Sequence, residues 1–227
     1  MTLAPHDFWQ DFVPPGFYAT PAAGFVDSYP ACLPDGRQLS LPIRILPGDG
    51  NRAVASLILN QASFAVEDML ASILNEWLLP FDPEVIIGVP TLGIPLAANV
   101  ARRLGHKRMV ALGTSRKFWY RDELSEPMTS ITSPTHAKTI FVDPRMLPLL
   151  EGKRVALIDD VISSGSSMAA VLRLLDKAGI APVAIGAAML QGNQWLALLE
   201  QWRDKIVAAI ASPLLEKTPA GRWLPSS

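Results

Sequence analysis

Between residues 155 and 167 the chain reads VALIDDVISSGSS. An apolar run, Val155 to Ile158, leads into two adjacent carboxylates, Asp159 and Asp160, then two more apolar residues and a run of small ones: Ser163, Ser164, Gly165, Ser166 and Ser167. The segment that follows, MAAVLRLLDKAG, carries apolar residues at helical spacing. A small-residue turn that opens a helix presents unpaired backbone N–H groups and the positive end of the helix dipole, a setting that suits a phosphate monoester. Serine hydroxyls add donors without obstructing the backbone, and Gly165 accepts angles that other residues resist. Adjacent carboxylates at the C-terminal end of a strand accept hydrogen bonds from a vicinal diol or hold a magnesium ion. A phosphate beside a diol describes a ribose 5-phosphate. An acidic turn or a serine cap alone is commonplace; their succession, in register with a strand and a helix, carries the information. No Gly-x-x-x-x-Gly-Lys-Ser/Thr pattern occurs, which argues against a P-loop nucleotide site.

These residues need a scaffold, and the rest of the chain supplies its pattern. The first part, to about Leu46, is rich in Pro, Gly and aromatics, with a hairpin turn predicted at Asp35-Gly36. From Asn51 to Leu79, apolar residues at three- and four-residue spacings (Val54, Leu57, Ile58, Phe64, Met69, Ile73, Leu74, Leu78) predict one long helix or two joined ones, stopped by Pro80. Strands and helices then alternate. EVIIGV, KRMVALG, TIFVD, KRVALID, APVAIGAAML and KIVAAIAS read as strands; IPLAANVARRLG and QWLALLEQW read as helices. A polar stretch from Thr114 to about His136 is longer than a compact connection needs. The pattern predicts an α/β domain with a largely parallel sheet. The divisions expected are 1–50 as an N-terminal hood or hairpin region, 51–212 as the core and 213–227 as a tail.

Composition narrows the class. Lys plus Arg is 20 and Asp plus Glu is 21, so no global field draws the protein to nucleic acid or to an anionic membrane. Charged residues make up only 18% of the chain against 49% hydrophobic, which favours a sheet buried on both faces. No apolar run approaches the ~20 residues that span a bilayer, and MTLAPHDFWQDF lacks the basic start of a signal peptide. Cys32 is the only cysteine, which excludes an internal disulfide and fits a reducing, cytoplasmic setting; nothing local supports it as a catalytic thiol. His106 and His136 have no partners at metal-ligand spacing.

The 155–167 segment resembles the signature of the type I phosphoribosyltransferases: a hydrophobic strand, an acidic pair, two apolar residues and a loop rich in Thr/Ser and Gly. In that family the pair contacts the ribose hydroxyls of 5-phosphoribosyl-1-pyrophosphate (PRPP) and the loop holds its 5′-phosphate. The resemblance implies the first role for Asp159 and Asp160 and the second for Ser163, Ser164, Gly165, Ser166 and Ser167. The commoner loop ends Thr-Gly-Gly-Thr, and Ser164-Gly165-Ser166-Ser167 lacks its second glycine. VIIGVPTLGIPLAANVARRLG resembles the family's first strand, tight loop and helix, which makes Thr91, Leu92 and Gly93 the expected pyrophosphate loop. SRKFWYRDELSEPMTSITS stands where members carry a flexible catalytic loop, and Arg116 and Lys117 match its cations. Loss of pyrophosphate from C1 builds negative charge on the leaving group, so mobile cations that close over it are chemically sensible. Phe118, Trp119 and Tyr120 either shield the closed site from water or pack on the core.

Over residues 84–211 the chain looks like the xanthine and adenine branch of the purine enzymes, through SRK, SITSPTHAKTIFVDPRMLPLLEGKRVALIDD and AAMLQGNQWLALLE. The resemblance implies a parallel sheet flanked by helices under a small hood of N- and C-terminal segments. It also implies transfer of ribose 5-phosphate from PRPP to a nucleobase, most plainly a purine in salvage. Mg2+ is expected with PRPP, meeting Asp159 and Asp160 only indirectly, and a homodimer in the cytoplasm is expected by analogy. Where the hypoxanthine-guanine enzymes carry a proton-handling aspartate, this chain has Ser163; Glu123 and Glu126 are candidate substitutes, or ordinary surface ion pairs. Gln191, Asn193 and Gln194 offer donors and acceptors to a base, and Phe8, Trp9, Phe17, Tyr18 or Phe25 a stacking face, each also explicable as packing. Two alternatives stay open: a PRPP-binding regulator without catalysis, and a transferase with a non-purine acceptor. A catalytic-loop Arg-Lys favours an enzyme; a DNA-binding module is disfavoured by a first 50 residues that are not basic.

Overall fold

The computed structural model describes residues 3–19, 21–130 and 133–226, with side chains at all of these except 129, 130 and 133–137. The chain opens with strands β1 (Ser28–Cys32), β2 (Gln38–Ile45) and β3 (Arg52–Ala55). Helix α1 (Phe64–Leu78), strand β4 (Val85–Gly88), helix α2 (Gly93–Arg103) and the short β5 (Val110–Ala111) follow. Next come β6 (Ser125–Ser130), β7 (Ser133–Phe141), β8 (Val155–Ile162), α3 (Ser166–Lys177) and β9 (Pro182–Gln191). The chain finishes with a short α4 (Leu196–Leu199), β10 (Ile206–Ser212), β11 (Leu214–Lys217) and β12 (Trp223–Pro225).

A five-stranded sheet in the order β10-β9-β8-β4-β5 is parallel at every pairing. Its strands are apolar throughout because both faces are covered. Ile86, Ile158 and Ala184 face a core filled by Leu70, Leu74 and Leu78 of α1 and Leu96 and Val100 of α2. Their neighbours Ile87, Leu157 and Ile185 face Val171, Leu174 and Leu175 of α3. From β4 the chain crosses to β5 on one side, and from β8 it crosses to β9 on the other. The order reverses between β4 and β8, and open α/β sheets bind ligands in the crevice at the C-terminal ends of such strands.

A second, antiparallel sheet (β1-β2-β3-β11-β12) forms the hood from N- and C-terminal segments. The turn expected at Asp35-Gly36 joins β1 to β2, with Leu33 N donating to Arg37 O at 2.8 Å. Three expectations are corrected here. Residues 51–79 are not continuous helix: Arg52–Ala55 is β3, held between β2 and β11, and α1 starts only after Ser63, whose Oγ accepts from Val66 N at 3.2 Å. The 213–227 tail is structured, because β11 pairs with β3 and Trp223 buries beside Phe25 and Leu215. TIFVD does not join the parallel sheet; Thr139 to Phe141 end β7, which pairs antiparallel with β6.

The β6–β7 pair lies along α3 and is tied there by charge. Glu126, buried on β6, accepts from Arg173 Nε at 2.7 Å and Lys177 Nζ at 2.6 Å. Lys177 first and Arg173 second hold its pKa below the ordinary value. Glu126→Gln keeps the shape and removes the charge, and it is expected to cost about 1 kcal/mol, a fall of about 2–4 °C in thermal midpoint for a chain of this size. Calorimetric melting of the two proteins checks this.

Candidate functional site

A cavity of about 430 Å³ lies at the C-terminal ends of β4, β8 and β9, beneath the hood. Its floor is Asp159, Asp160 and the serine loop; Thr91 and Leu92 flank the floor, and Val54, Ser56, Leu57 and Ile58 form the hood wall. Asp159 ends the buried run of β8 and is 6% exposed. Its Oδ1 accepts from Asp160 N at 2.9 Å, which turns the acidic pair into the cavity rather than along the strand.

Burial is the main force on this pair. It pushes the Asp159 carboxyl well above the usual carboxylate range, and the neighbouring Asp160 adds to the rise. Burial raises Asp160 as well. A carboxylate whose pKa is raised on folding contributes stability that is complete below the unfolded value and lost as pH rises through the folded one. Asp143 runs the opposite way. Arg145 donates to it through Nε at 3.1 Å, and its pKa falls to about 2. Its contribution is present above the unfolded value and lost only as pH falls through about 2. As pH falls, the unfolding midpoint is therefore expected to rise where the Asp159–Asp160 pair takes up a proton, and a melting series across the acid range follows that rise. Ligands that use the ionised pair are expected to bind less tightly over the same descent.

The serine loop follows at once. Gly165 has φ +79°, and a side chain there would stand 3.2 Å from Trp195 Cα and from Leu199 Cγ, so this position needs glycine for both reasons. Helix α3 starts at Ser166, with Ser164 Oγ accepting from Ser166 N at 3.3 Å and lying 2.9 Å from Ser166 Oγ. All five residues, Ser163 to Ser167, line the cavity, and α3 points its positive end into it. The missing second glycine leaves this turn intact, because the one positive φ in the loop falls on Gly165.

Across the switch point, Val89 N donates to Ile158 O at 2.9 Å, and the chain then turns through Pro90–Gly93. The Pro90–Thr91 peptide is cis. Gly93 opens α2 directly against β8: an added Cβ would lie 2.8 Å from Asp159 Cα and 2.9 Å from Ile158 O. Close approach of the 90–93 loop to β8 therefore depends on the absence of a side chain there. Thr91 and Leu92 line the cavity, and Gly93 packs behind them.

Other candidates lie elsewhere. Arg116 pairs with Asp122, and neither it nor Lys117 lines the cavity. Phe118 is 96% exposed, while Trp119 stacks under Arg145, with the guanidinium 4.2 Å from the ring centroid. Glu126 is consumed by its ion pairs, and Glu123 is exposed. Of the expected base readers, Gln191 lines the cavity but donates Nε2 to Ala55 O at 2.9 Å, fastening β9 to the hood; Asn193 and Gln194 are exposed. None of the five early aromatics lines the cavity. Phe8 and Trp9 are core residues, Phe25 packs in the hood and Phe17 is exposed. Trp9 still matters, since its Nε1 donates to Ser56 O at 2.9 Å and so sets the cavity wall. His106 Nε2 lies 3.0 Å from Pro83 O, and the His136 side chain falls outside the described residues. Beyond the hood wall of Val54, Ser56, Leu57 and Ile58, which the sequence did not assign to a site, the cavity also takes Met128 of β6 and Lys138 of β7. No local signal marks either one.

Comparison with known proteins places this geometry. The family model described as phosphoribosyl transferase domain matches residues 56–213. A transcriptional regulator, GfcR, of Archaeoglobus fulgidus is 31% identical over 118 residues, 52% of this chain and 50% of its own. A bifunctional protein, PyrR, of Leifsonia xyli subsp. xyli is 31% identical over 141 residues, 58% of this chain and 71% of its own. The chain thus spans half the length of the first of these relatives. Among solved structures, an APRTase from Giardia lamblia complexed with 9-deazaadenine superposes with a TM-score of 0.58 at 22% identity, covering 75% of this chain and 93% of that one. Such a likeness speaks for a shared fold. No described helix is long and apolar enough to cross a membrane.

Proposed function

The chain belongs to the phosphoribosyl transferase domain family, and from that premise we propose that it is an enzyme transferring ribose 5-phosphate from PRPP to a ring nitrogen of a nucleobase, with release of pyrophosphate. One observation carries the proposal: a single cavity gathers a buried acidic pair, a helix-opening serine loop and the tight 90–93 loop. Each suits a different part of PRPP. Asp159 and Asp160 accept hydrogen bonds from the ribose hydroxyls, and residues 163–167 take the 5′-phosphate. Thr91, Leu92 and Gly93 receive the pyrophosphate through the backbone. The acceptor then lies against the aliphatic wall of Val54, Leu57 and Ile58, a flat apolar face that suits a heteroaromatic ring.

In the reaction the nitrogen of the base bonds to C1 as the C1–O bond to pyrophosphate breaks, through a transition state with positive charge on the sugar. The chain's part is to hold the two reactants in line and to meet the charge that develops. Asp159 and Asp160, carboxylates turned into the cavity, would meet a magnesium ion carried in with PRPP, which would supply positive charge against that of the leaving pyrophosphate. Arg116 and Lys117 reach the leaving group by movement of their loop, which requires the Arg116–Asp122 pair to open. Arg116→Ala is therefore expected to lower kcat by about 10- to 100-fold while PRPP affinity stays within about threefold. Stopped-flow turnover beside equilibrium binding separates the two effects. A purine is the acceptor favoured by the likeness to the xanthine and adenine branch.

The test is pyrophosphate release from PRPP and magnesium against xanthine, guanine, hypoxanthine, adenine, uracil and orotate. Release with a purine supports the proposal. A second reading, a PRPP-responsive regulator, draws on the transcriptional regulator among the relatives and on the Arg116 pairing outside the cavity. PRPP binding with no turnover on any base would favour it.

A further inference from the structure

Lys138 is the one cation among the described residues lining the cavity, and no described carboxylate is paired with it. Its position follows from register. In the β6–β7 pair Glu126 stands opposite Ile140, and Met128 stands opposite Lys138. Directly opposed residues of antiparallel strands project to the same face, as do alternate residues along a strand. Glu126, Ile140, Met128 and Lys138 therefore share one face, and that face lies on α3. Glu126 bonds Arg173 and Lys177 there, while Met128 and Ile140 bury among the apolar residues of the helix.

Distance along α3 then decides which end Lys138 meets. From Glu126 to Met128 the strand advances about 7 Å. From Arg173 back to Met168 the helix retreats by about 7.5 Å. Met128 comes level with Met168, and both line the cavity. Lys138, opposite Met128, thus stands over the first turn of α3, where Ser166 and Ser167 begin the helix.

We propose that Lys138 binds the 5′-phosphate of the sugar. The β6–β7 pair, clamped to α3 through Glu126, sets a side-chain ammonium beside the start of the helix where the serine loop receives the phosphate. The inference rests on the phosphoribosyl reading of the cavity and adds to it a specific contact. The chemistry is that of a point charge on a dianion. The loop offers serine hydroxyls and a helix terminus but no cation of its own, and among the described lining residues Lys138 supplies the positive charge that offsets part of that of the two carboxylates on the floor.

The experiment is a calorimetric titration of wild type, Lys138→Met and Lys138→Arg with ribose 5-phosphate and, separately, with pyrophosphate, both with magnesium. Lys138→Met is expected to weaken ribose 5-phosphate by about 10- to 100-fold, the range of a lost charge-assisted hydrogen bond. Pyrophosphate binding is expected to stay within about twofold, and Lys138→Arg to retain most of the affinity. Thermal melting of each variant checks folding, and the exposed position of Lys138 predicts little change. Loss of pyrophosphate affinity with ribose 5-phosphate unaffected would assign Lys138 to the leaving group and overturn the proposal, as would no change with either ligand. Failure of the wild type to bind either ligand would instead overturn the phosphoribosyl reading itself.

Discussion

The Asp159→Asn/Asp160→Asn variant is expected to lose PRPP affinity by at least about 100-fold and, at neutral pH, to melt at a higher temperature than the wild type. Both effects have one cause. Each carboxylate held in the cavity supplies a charge-assisted acceptor for a ribose hydroxyl, and two such bonds at about 1.5–3 kcal/mol apiece account for the lost affinity. Holding those charges out of water costs the empty protein stability, which is why burial raises both carboxyls. The neutral amides occupy the same space without that penalty. Each kcal/mol relieved is worth about 2–4 °C in this size range. The gain is expected to shrink as pH falls and the wild-type pair takes up a proton. Calorimetric binding and melting at pH 7.5 and pH 5 check both halves. An unchanged PRPP affinity, or a variant less stable at pH 7.5, would contradict the roles given to the pair.

Gly93→Ala is expected to damage the site from behind. The new Cβ would meet Asp159 Cα at 2.8 Å, Ile158 O at 2.9 Å and Asp159 Oδ1 at 3.0 Å. Two of these are backbone atoms of the central strand β8, held by its pairing with β9, and cannot swing aside. Overpacking of this kind costs about 1–3 kcal/mol. Relief requires the 90–93 loop to back away from the acidic pair, and a misplacement of about 1 Å costs on the order of 100-fold in turnover. Pyrophosphate release measured beside a melting curve reads both. A variant with wild-type turnover would show that the contact between the 90–93 loop and β8 is not part of the site.

The legible parts of this chain are those whose meaning is local. The β8 strand, its acidic pair, the serine loop and α3 follow one another without interruption, so 155–167 announces its own geometry, and the strand–loop–helix of 85–103 does the same. The hood wall was hidden because strand identity depends on partners far away in the chain. Val54, Leu57 and Ile58 fall at helical spacing, yet Arg52–Ala55 is a strand because β2 and β11 flank it. Leu214–Lys217 looked like a loose tail because the strand it joins lies more than 150 residues earlier. Lys138 is the sharpest case: nothing around it differs from an exposed lysine in a polar stretch, and its relevance comes only from register with Met128 and from the ion pairs that seat β6 on α3. The early aromatics failed as base-stacking candidates for the ordinary reason that Phe8 and Trp9 fill the core.

Binding of PRPP to the wild-type protein, by calorimetry with magnesium at pH 7.5, is the deciding measurement. The expected result is saturable binding at one site per chain, displaced by ribose 5-phosphate and by pyrophosphate, each of which fills part of the cavity. Absence of heat and of displacement at millimolar PRPP would contradict the assignment of the cavity between β4 and β8.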